Sequence, residues 1–130
     1  MYNFTYSINT TEDYMTSQYK MVQDFHKKYN LDINKQNSEL QQARITHMQE
    51  ELDEYKKAVN QKDIEGQLDA LVDLVYVALG TAHYENFDFD GAFNEVHTAN
   101  MKKIQKSTER SKWDVVKPEG WTAPVLKKYI

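Results

Sequence analysis

Ile45, Met48, Leu52, Tyr55 and Val59 recur at steps of three and four residues, which places them on one face of a helix expected over about 38–59. Ser38 is the expected N-cap, and Asn60-Gln61-Lys62 the exit. Asp63 is expected to cap a third helix over about 64–84. There Leu68, Leu71, Val72, Leu74, Val75, Tyr76, Val77, Ala78 and Leu79 cover nearly the whole circumference. Such a helix is central and buried, or buried at a subunit interface. Upstream, Thr16 or Ser17 can cap a first helix over about 17–29, with Met21, Val22 and Phe25 on its apolar stripe. Residues 30–38 are polar and read as a loop. A turn at 86–90 leads, through an Asp88 or Asp90 cap, into a fourth helix ending near Lys106. Residues 1–16 read as an irregular N-terminal arm. Residues 107–130, with Pro118, Gly120 and Pro124, read as an extended tail anchored by Trp113 and Trp121.

Composition narrows this picture. Four Gly and two Pro in 130 residues disfavour an all-β chain, which needs many turns, and favour long helices with few connections. The length fits one domain over 1–130. A net charge of −4 provides no global basic field for a nucleic-acid polymer. Free nucleotides stay open as partners, because a bound metal can supply positive charge locally. The absence of cysteine excludes zinc-thiolate sites, disulfides and thiol nucleophiles. The N-terminal region is polar and Tyr-rich, without the apolar core of a signal peptide. The longest apolar stretch, 70–80, is interrupted by Asp73 and is too short to span a bilayer. A cytoplasmic location and no membrane partner are the expectations.

The candidate chemistry is acidic. Glu51 and Glu54 sit one turn apart on one side of the second helix, and Glu50 flanks that side from four residues before Glu54. Like charges at this spacing repel by a few tenths of a kcal/mol per pair. Taken alone, they also suit an ordinary solvated face. Asp73 sharpens the point, because it stands within Ala-Leu-Val-Asp-Leu-Val-Tyr-Val-Ala-Leu. Burying an unpaired carboxylate there costs several kcal/mol or forces it to protonate. A partner such as Arg44, or a metal, removes that cost. Asp69 lies one turn earlier on the same face. A short turn near 60–63 makes the two helices antiparallel neighbours, so Glu50, Glu51 and Glu54 come within reach of Asp69 and Asp73. Carboxylate oxygens without thiolate or clustered His suit a hard cation, magnesium with manganese able to substitute, and disfavour zinc. Magnesium completes its shell with water and phosphate oxygens, which implies a phosphorylated substrate.

Glu50-Glu51-Leu-Asp-Glu54, a short loop, then Asp69-Ala-Leu-Val-Asp73-Leu-Val-Tyr76 resembles the all-α nucleoside triphosphate pyrophosphohydrolase superfamily. That group includes MazG, the dimeric dUTPases, dCTP pyrophosphatases and phosphoribosyl-ATP pyrophosphohydrolase. Phe89 to Lys103, and a tail with Lys117, Gly120 and Pro124, resemble the small MazG-like proteins of bacteriophages and bacteria. The resemblance covers about 20–130. It implies cleavage between the α and β phosphates to a nucleoside monophosphate and pyrophosphate. It implies that Glu51, Glu54 and Asp73 ligate metal, that Glu50 is a further ligand or the base that activates water, and that Asn100 and Lys103 face phosphate or sugar. This chain departs from the family in one place. The family carries Glu-x-x-Asp on the third helix, whereas here Ala70 stands three before Asp73 and the acid is Asp69, four before.

Other residues carry two readings each. Lys103 and Arg110 can bind phosphate oxygens, Lys as a point charge and Arg as a fork, or can be part of a solvated basic face with Lys102, Lys106 and Lys112. His97 shares a face with Asn100 and suits either substrate contact or a structural hydrogen bond. His26 can help line a base pocket. His47, one turn before Glu51, can orient it. Tyr76 suits the core better than base stacking, and Arg44 can pair with a site acid or reach a neighbouring subunit. The expectation is an all-α fold with a four-helix core, assembled as a homodimer or a dimer of dimers. The expected activity is a magnesium-dependent nucleotide pyrophosphohydrolase that controls a nucleotide pool. Phosphoribosyl-ATP hydrolysis is its substrate variant, and a non-catalytic nucleotide-binding or interaction module is the alternative class.

Overall fold

A computed structural model describes residues 16–130, so the expected arm over 1–16 lies, apart from Thr16, outside the described residues. The fold is all-α. Its helices are α1 (Gln18–Lys28), α2 (Ser38–Asn60), α3 (Ile64–Tyr84) and α4 (Phe89–Asn100). A two-residue antiparallel pair follows, β1 (Ile104–Gln105) with β2 (Val115–Val116), and then a 3₁₀ turn at Lys127–Tyr129. The chain divides into two compact units, parted between Phe87 and Asp88.

Local chemistry sets the helix ends in the first unit. Ser17 caps α1 by accepting from Lys20 N, Asn37 caps α2 through Leu40 N, and Asp63 caps α3 through Gly66 N. The cap of α2 is therefore Asn37, one residue before the expected Ser38. Each of the three helices stops in the same way. Asn30, Lys62 and Asn86 take left-handed backbone, with φ of 58°, 57° and 58°. The next N–H then bonds to the carbonyl five residues back, Leu31 to His26 O, Asp63 to Ala58 O and Phe87 to Ala82 O. This closure satisfies carbonyls that a helix end otherwise strands.

α2 and α3 share the most extensive helix packing of this unit, and α1 packs on α3. The pair runs antiparallel. Ala58 meets Gly66 beside the turn, while at the far end Arg44 donates to Val77 O (3.0 Å) and Thr81 Oγ1 (3.1 Å). Arg44 thus serves a carbonyl, a hydroxyl and the Tyr84 ring rather than a site acid. Among the described residues of this unit, the buried apolar side chains are few: Tyr19, Val22, Ala58, Ala70, Val77, Leu79 and Ala82. The buried face of α1 is Tyr19, Val22 and His26, rotated from the expected stripe. Met21 is exposed, and Phe25 meets Tyr76 edge-on at 5.5 Å while staying 41% exposed. The expected all-round burial of the third helix does not occur within one chain. Leu68 is 64% exposed, and Val72 and Val75 are each 53% exposed.

The polar connection between α1 and α2 is tied down by Glu85, at the C-cap of α3. Its buried carboxylate accepts from Gln36 N (3.0 Å), Gln36 Nε2 (2.9 Å) and Gln41 Nε2 (3.3 Å). Burial by itself raises this carboxyl. The Gln36 and Gln41 donors, with Lys35 nearby, outweigh it and hold the group below its ordinary value.

In the second unit, Asp88 caps α4 through Gly91 N. The Tyr129 ring lies against Gly91, where a side chain would collide with it, and Tyr129 Oη donates to Glu95. α4 ends at Asn100, six residues short of the expected Lys106. A longer helix would offer Ala99 O to the Lys103 N–H. Instead Trp121 Nε1 donates to that carbonyl at 2.7 Å, and Lys102 N takes it in a tighter turn. Trp121 is therefore the expected anchor. Trp113 is not one, at 79% exposed. Nor is the tail simply extended, since β1 and β2 fold part of it into a hairpin.

Glu85→Ala removes the acceptor of the part-buried Gln36 N–H. It should cost about 1–3 kcal/mol and lower the melting temperature by several degrees. The carboxyl titrates lower in the folded chain than in the unfolded one. Its contribution is thus complete above the unfolded pKa and is lost as pH falls through the folded value. Melting curves of both proteins between pH 7 and pH 3 should therefore converge towards the acid end.

Candidate active site

The α2–α3 pair opens, near its turn, into a cleft of about 480 Å³. Glu50, Glu51 and Glu54 line it from α2, and Asp69 and Asp73 line it from α3. All five acids expected at the site are thus brought to one cleft, including Asp69 with its unusual spacing. Asp63, Lys57, Gln61 and Gly66 also line it. Asp63 and Lys57 are not among the expected site residues. Asp63 has a sufficient local role as the α3 cap, and Lys57 looks like part of a wet face. The useful signal was that Lys57 is three residues after Glu54 and Asp63 immediately follows the turn, so both fall at the end where the helices meet.

Charge is unbalanced here. Among the described residues that line the cleft there are six carboxylates and one ammonium, Lys57. The consequence shows at Glu51, whose side chain is only 17% exposed. Burial raises its carboxyl, and the charges of Asp73, Glu54 and Asp69 raise it further. His47 opposes this from α2, with Nε2 3.6 Å from Glu51 Oε2. The expected partner of Glu51 is therefore beside it. Asp73 departs from expectation in its surroundings. It is half-buried on the wall of a polar cleft rather than sealed among apolar neighbours. α3 leaves that side open because α2 and α1 cover only part of its circumference.

The donor set is oxygen, which suits magnesium or manganese. Among the described residues, no three His, Asp or Glu side chains stand close enough to hold one ion as they are placed.

The remaining expected residues fall elsewhere. His26 is buried against His83, with ring centroids 4.5 Å apart, and against Tyr84. Its Nε2 lies over Gly80, where a Cβ would come within 2.7 Å. It lines neither the acidic cleft nor a second cleft of about 500 Å³ along the α1–α2 loop, whose charged lining is only Asp32 and Glu39. Asn100, Lys103, His97 and Arg110 belong to the second unit. His97 and Asn100 are exposed on α4. Arg110 grips Asp114 with two nitrogens, at 3.1 and 2.6 Å, and with Thr108 holds the Asp114 carboxyl down to about 2. Its guanidinium is thus largely committed to the hairpin. Lys103 rests its ammonium on the Trp121 ring.

The chain is an all-α protein whose two longest helices enclose a cleft of convergent carboxylates. A family model described as phosphoribosyl-ATP pyrophosphohydrolase matches residues 22–100, and the chain belongs to this family, within the MazG-like all-α pyrophosphohydrolase superfamily. A nucleotide pyrophosphohydrolase type of activity comes with that membership. No curated protein matches the chain. Among the described residues, no helix is long and apolar enough to cross a membrane.

Asp73→Asn tests the repulsion directly. Glu51 titrates above its unfolded value, so the metal-free fold loses stability as pH rises from the unfolded to the folded pKa. Removing the Asp73 charge should lower the Glu51 pKa, read by carboxyl NMR, and raise the metal-free melting temperature at pH 7. A lower melting temperature would contradict the convergence described above.

Proposed function

We propose that this chain is a magnesium-dependent pyrophosphohydrolase. A nucleoside triphosphate and water give the nucleoside monophosphate and pyrophosphate, with the anhydride cut between the α and β phosphates. The carrying observation is the charge imbalance of the cleft. A triphosphate cannot enter beside six carboxylates and one ammonium unless cations come with it, because like charges a few ångströms apart at low dielectric repel by several kcal/mol. Glu51, Glu54 and Asp73, with Asp69, would hold the metal. When bound, it neutralises phosphate charge and acidifies a coordinated water. Glu50, on the same wall, is then the free carboxylate placed to accept the water's proton or to join the ligands. His47 holds Glu51 from behind. Lys57 offers an ammonium to the departing phosphate end.

Family membership supports phosphoribosyl-ATP equally well as the substrate, with the same type of bond cut. A panel of nucleoside triphosphates, their deoxy forms and phosphoribosyl-ATP, incubated with magnesium and followed for pyrophosphate release, separates these readings. Glu54→Gln and Asp73→Asn should each lower turnover by about 10²-fold or more with helical circular dichroism unchanged. Near-parental rates in either variant would remove the two-helix metal site. Failure to turn over any member of the panel would leave a non-catalytic binding module.

We propose also that the chain works as a homodimer or a dimer of dimers. Ile45, Leu52 and Val59 form an exposed stripe on α2, and Leu68, Val72 and Val75 form another on α3. Apolar surface of this extent on a small chain is ordinarily covered by a partner. Sedimentation should give a multiple of the 15.3 kDa chain mass, and Val72→Asp should shift it towards a single chain. A parent protein that sediments as one chain at micromolar concentration excludes this assembly.

A further inference from the structure

The second unit brings together two ammonium groups that the reaction scheme above leaves unused as a pair. β1 and β2 pair Gln105 with Val115 and Ile104 with Val116. One step further, the same register sets Lys103 opposite Lys117. Like charges facing across an antiparallel ladder destabilise it. Neither lysine forms an ion pair among the described residues, and Glu119, in the adjoining turn, joins neither. Both instead rest on one aromatic ring. Lys103 Nζ and Lys117 Nζ are each 5.2 Å from the Trp121 ring centroid. The pairs Lys28–Tyr29, Lys112–Trp113 and Lys128–Tyr129 join sequence neighbours, which chain connectivity alone brings together. At Trp121 the fold does this. Gly120, at φ 84°, closes a turn in which Trp121 N donates to Pro118 O, carrying the indole back towards the ladder end. Trp121 Nε1 then locks onto Ala99 O at 2.7 Å. Eight basic residues against three acidic ones over 101–130 bias this whole segment towards an anion.

We propose that Lys103 and Lys117 together bind a chain of two or more phosphates, and that Trp121 is the positioning residue that holds the two ammoniums side by side. Each ammonium is attracted to the ring by an interaction comparable to the cross-strand repulsion, so the pair is stable while empty. An anion that bridges them removes the repulsion and adds charge-assisted hydrogen bonds. Two ammoniums suit oxygens on neighbouring phosphates better than one isolated phosphate, because each lysine is a separate point charge. The ligand class is a pyrophosphate group, whether free or as the β,γ end of a nucleoside triphosphate. The choice between those sources rests on the hydrolase reading; the site itself does not.

The chain has two tryptophans. In the full chain carrying Trp113→Phe, the tryptophan emission, excited selectively over the tyrosines, therefore reports Trp121 alone. Titration with inorganic pyrophosphate should change that emission saturably, and inorganic phosphate should bind more weakly by about tenfold or more. Lys117→Ala should weaken pyrophosphate binding by about tenfold, while Lys117→Arg retains it. Calorimetry should show that Trp121→Phe keeps most of the affinity and Trp121→Leu loses it. Unchanged emission, equal affinity for phosphate and pyrophosphate, or parental affinity in Lys117→Ala each overturn the proposal. A nucleoside triphosphate arm distinguishes the sources, since tighter binding than pyrophosphate assigns the site to substrate and weaker binding assigns it to product. Pyrophosphate binding without turnover of any nucleotide leaves this site standing and removes the catalytic reading. Turnover with unchanged KM and unchanged pyrophosphate binding in Lys117→Ala does the reverse.

Discussion

Near their turn, α2 and α3 meet through Ala58, Gly66 and Ala70, residues too small to hold the helices apart. That close approach forces the acids of both helices into one cleft. A bulkier contact would let Glu51 and Asp73 relax away from each other; as they stand, burial and then the Asp73 charge raise the Glu51 carboxyl. The short connection, closed by left-handed Lys62 and the Asp63 cap, allows no slack. The fold thus stores electrostatic repulsion between the two helices at this cleft. Like charges gathered in this way lower the stability of the fold.

The far end of the same helix pair is organised by the opposite sign of charge. Arg44, His26 and His83 gather around Gly80 and Tyr84, and burial together with the neighbouring cationic groups holds His26 below its ordinary pKa. A neutral His26 packs there without a counter-ion. Glu85, one residue beyond Tyr84, closes the adjoining loop through donors of Gln36 and Gln41 rather than through a salt bridge. Acidic surplus at one end and basic groups at the other give this helix pair a polar axis. The second unit has its own surplus of basic residues over 101–130.

Much of this was legible along the chain. α3 occupies the expected 64–84 because Asp63 is a strong cap and Asn86 a ready left-handed exit, both decided by neighbouring residues. The acids at 50, 51, 54, 69 and 73 share a cleft because helical spacing and a short turn dictate it. Other features depended on distant partners. α4 ends at Asn100 because Trp121, remote in sequence, takes the Ala99 carbonyl. α1 buries His26 rather than Phe25 because Gly80 offers a space that a ring nitrogen fits. Arg44 looked free to join the acids, yet Val77 O and Thr81 lie nearer in the antiparallel register.

The sequence by itself determined the helical class, most helix ends and the membership of the acidic cleft, because caps, periodicity and turn length act over a few residues. Only the tertiary structure decided how deep Asp73 sits, which face of α1 is core, and that Lys103 and Lys117 share a ring. Each of these depends on which surfaces meet, and that depends on side-chain volumes and hydrogen-bond partners brought together from remote parts of the chain.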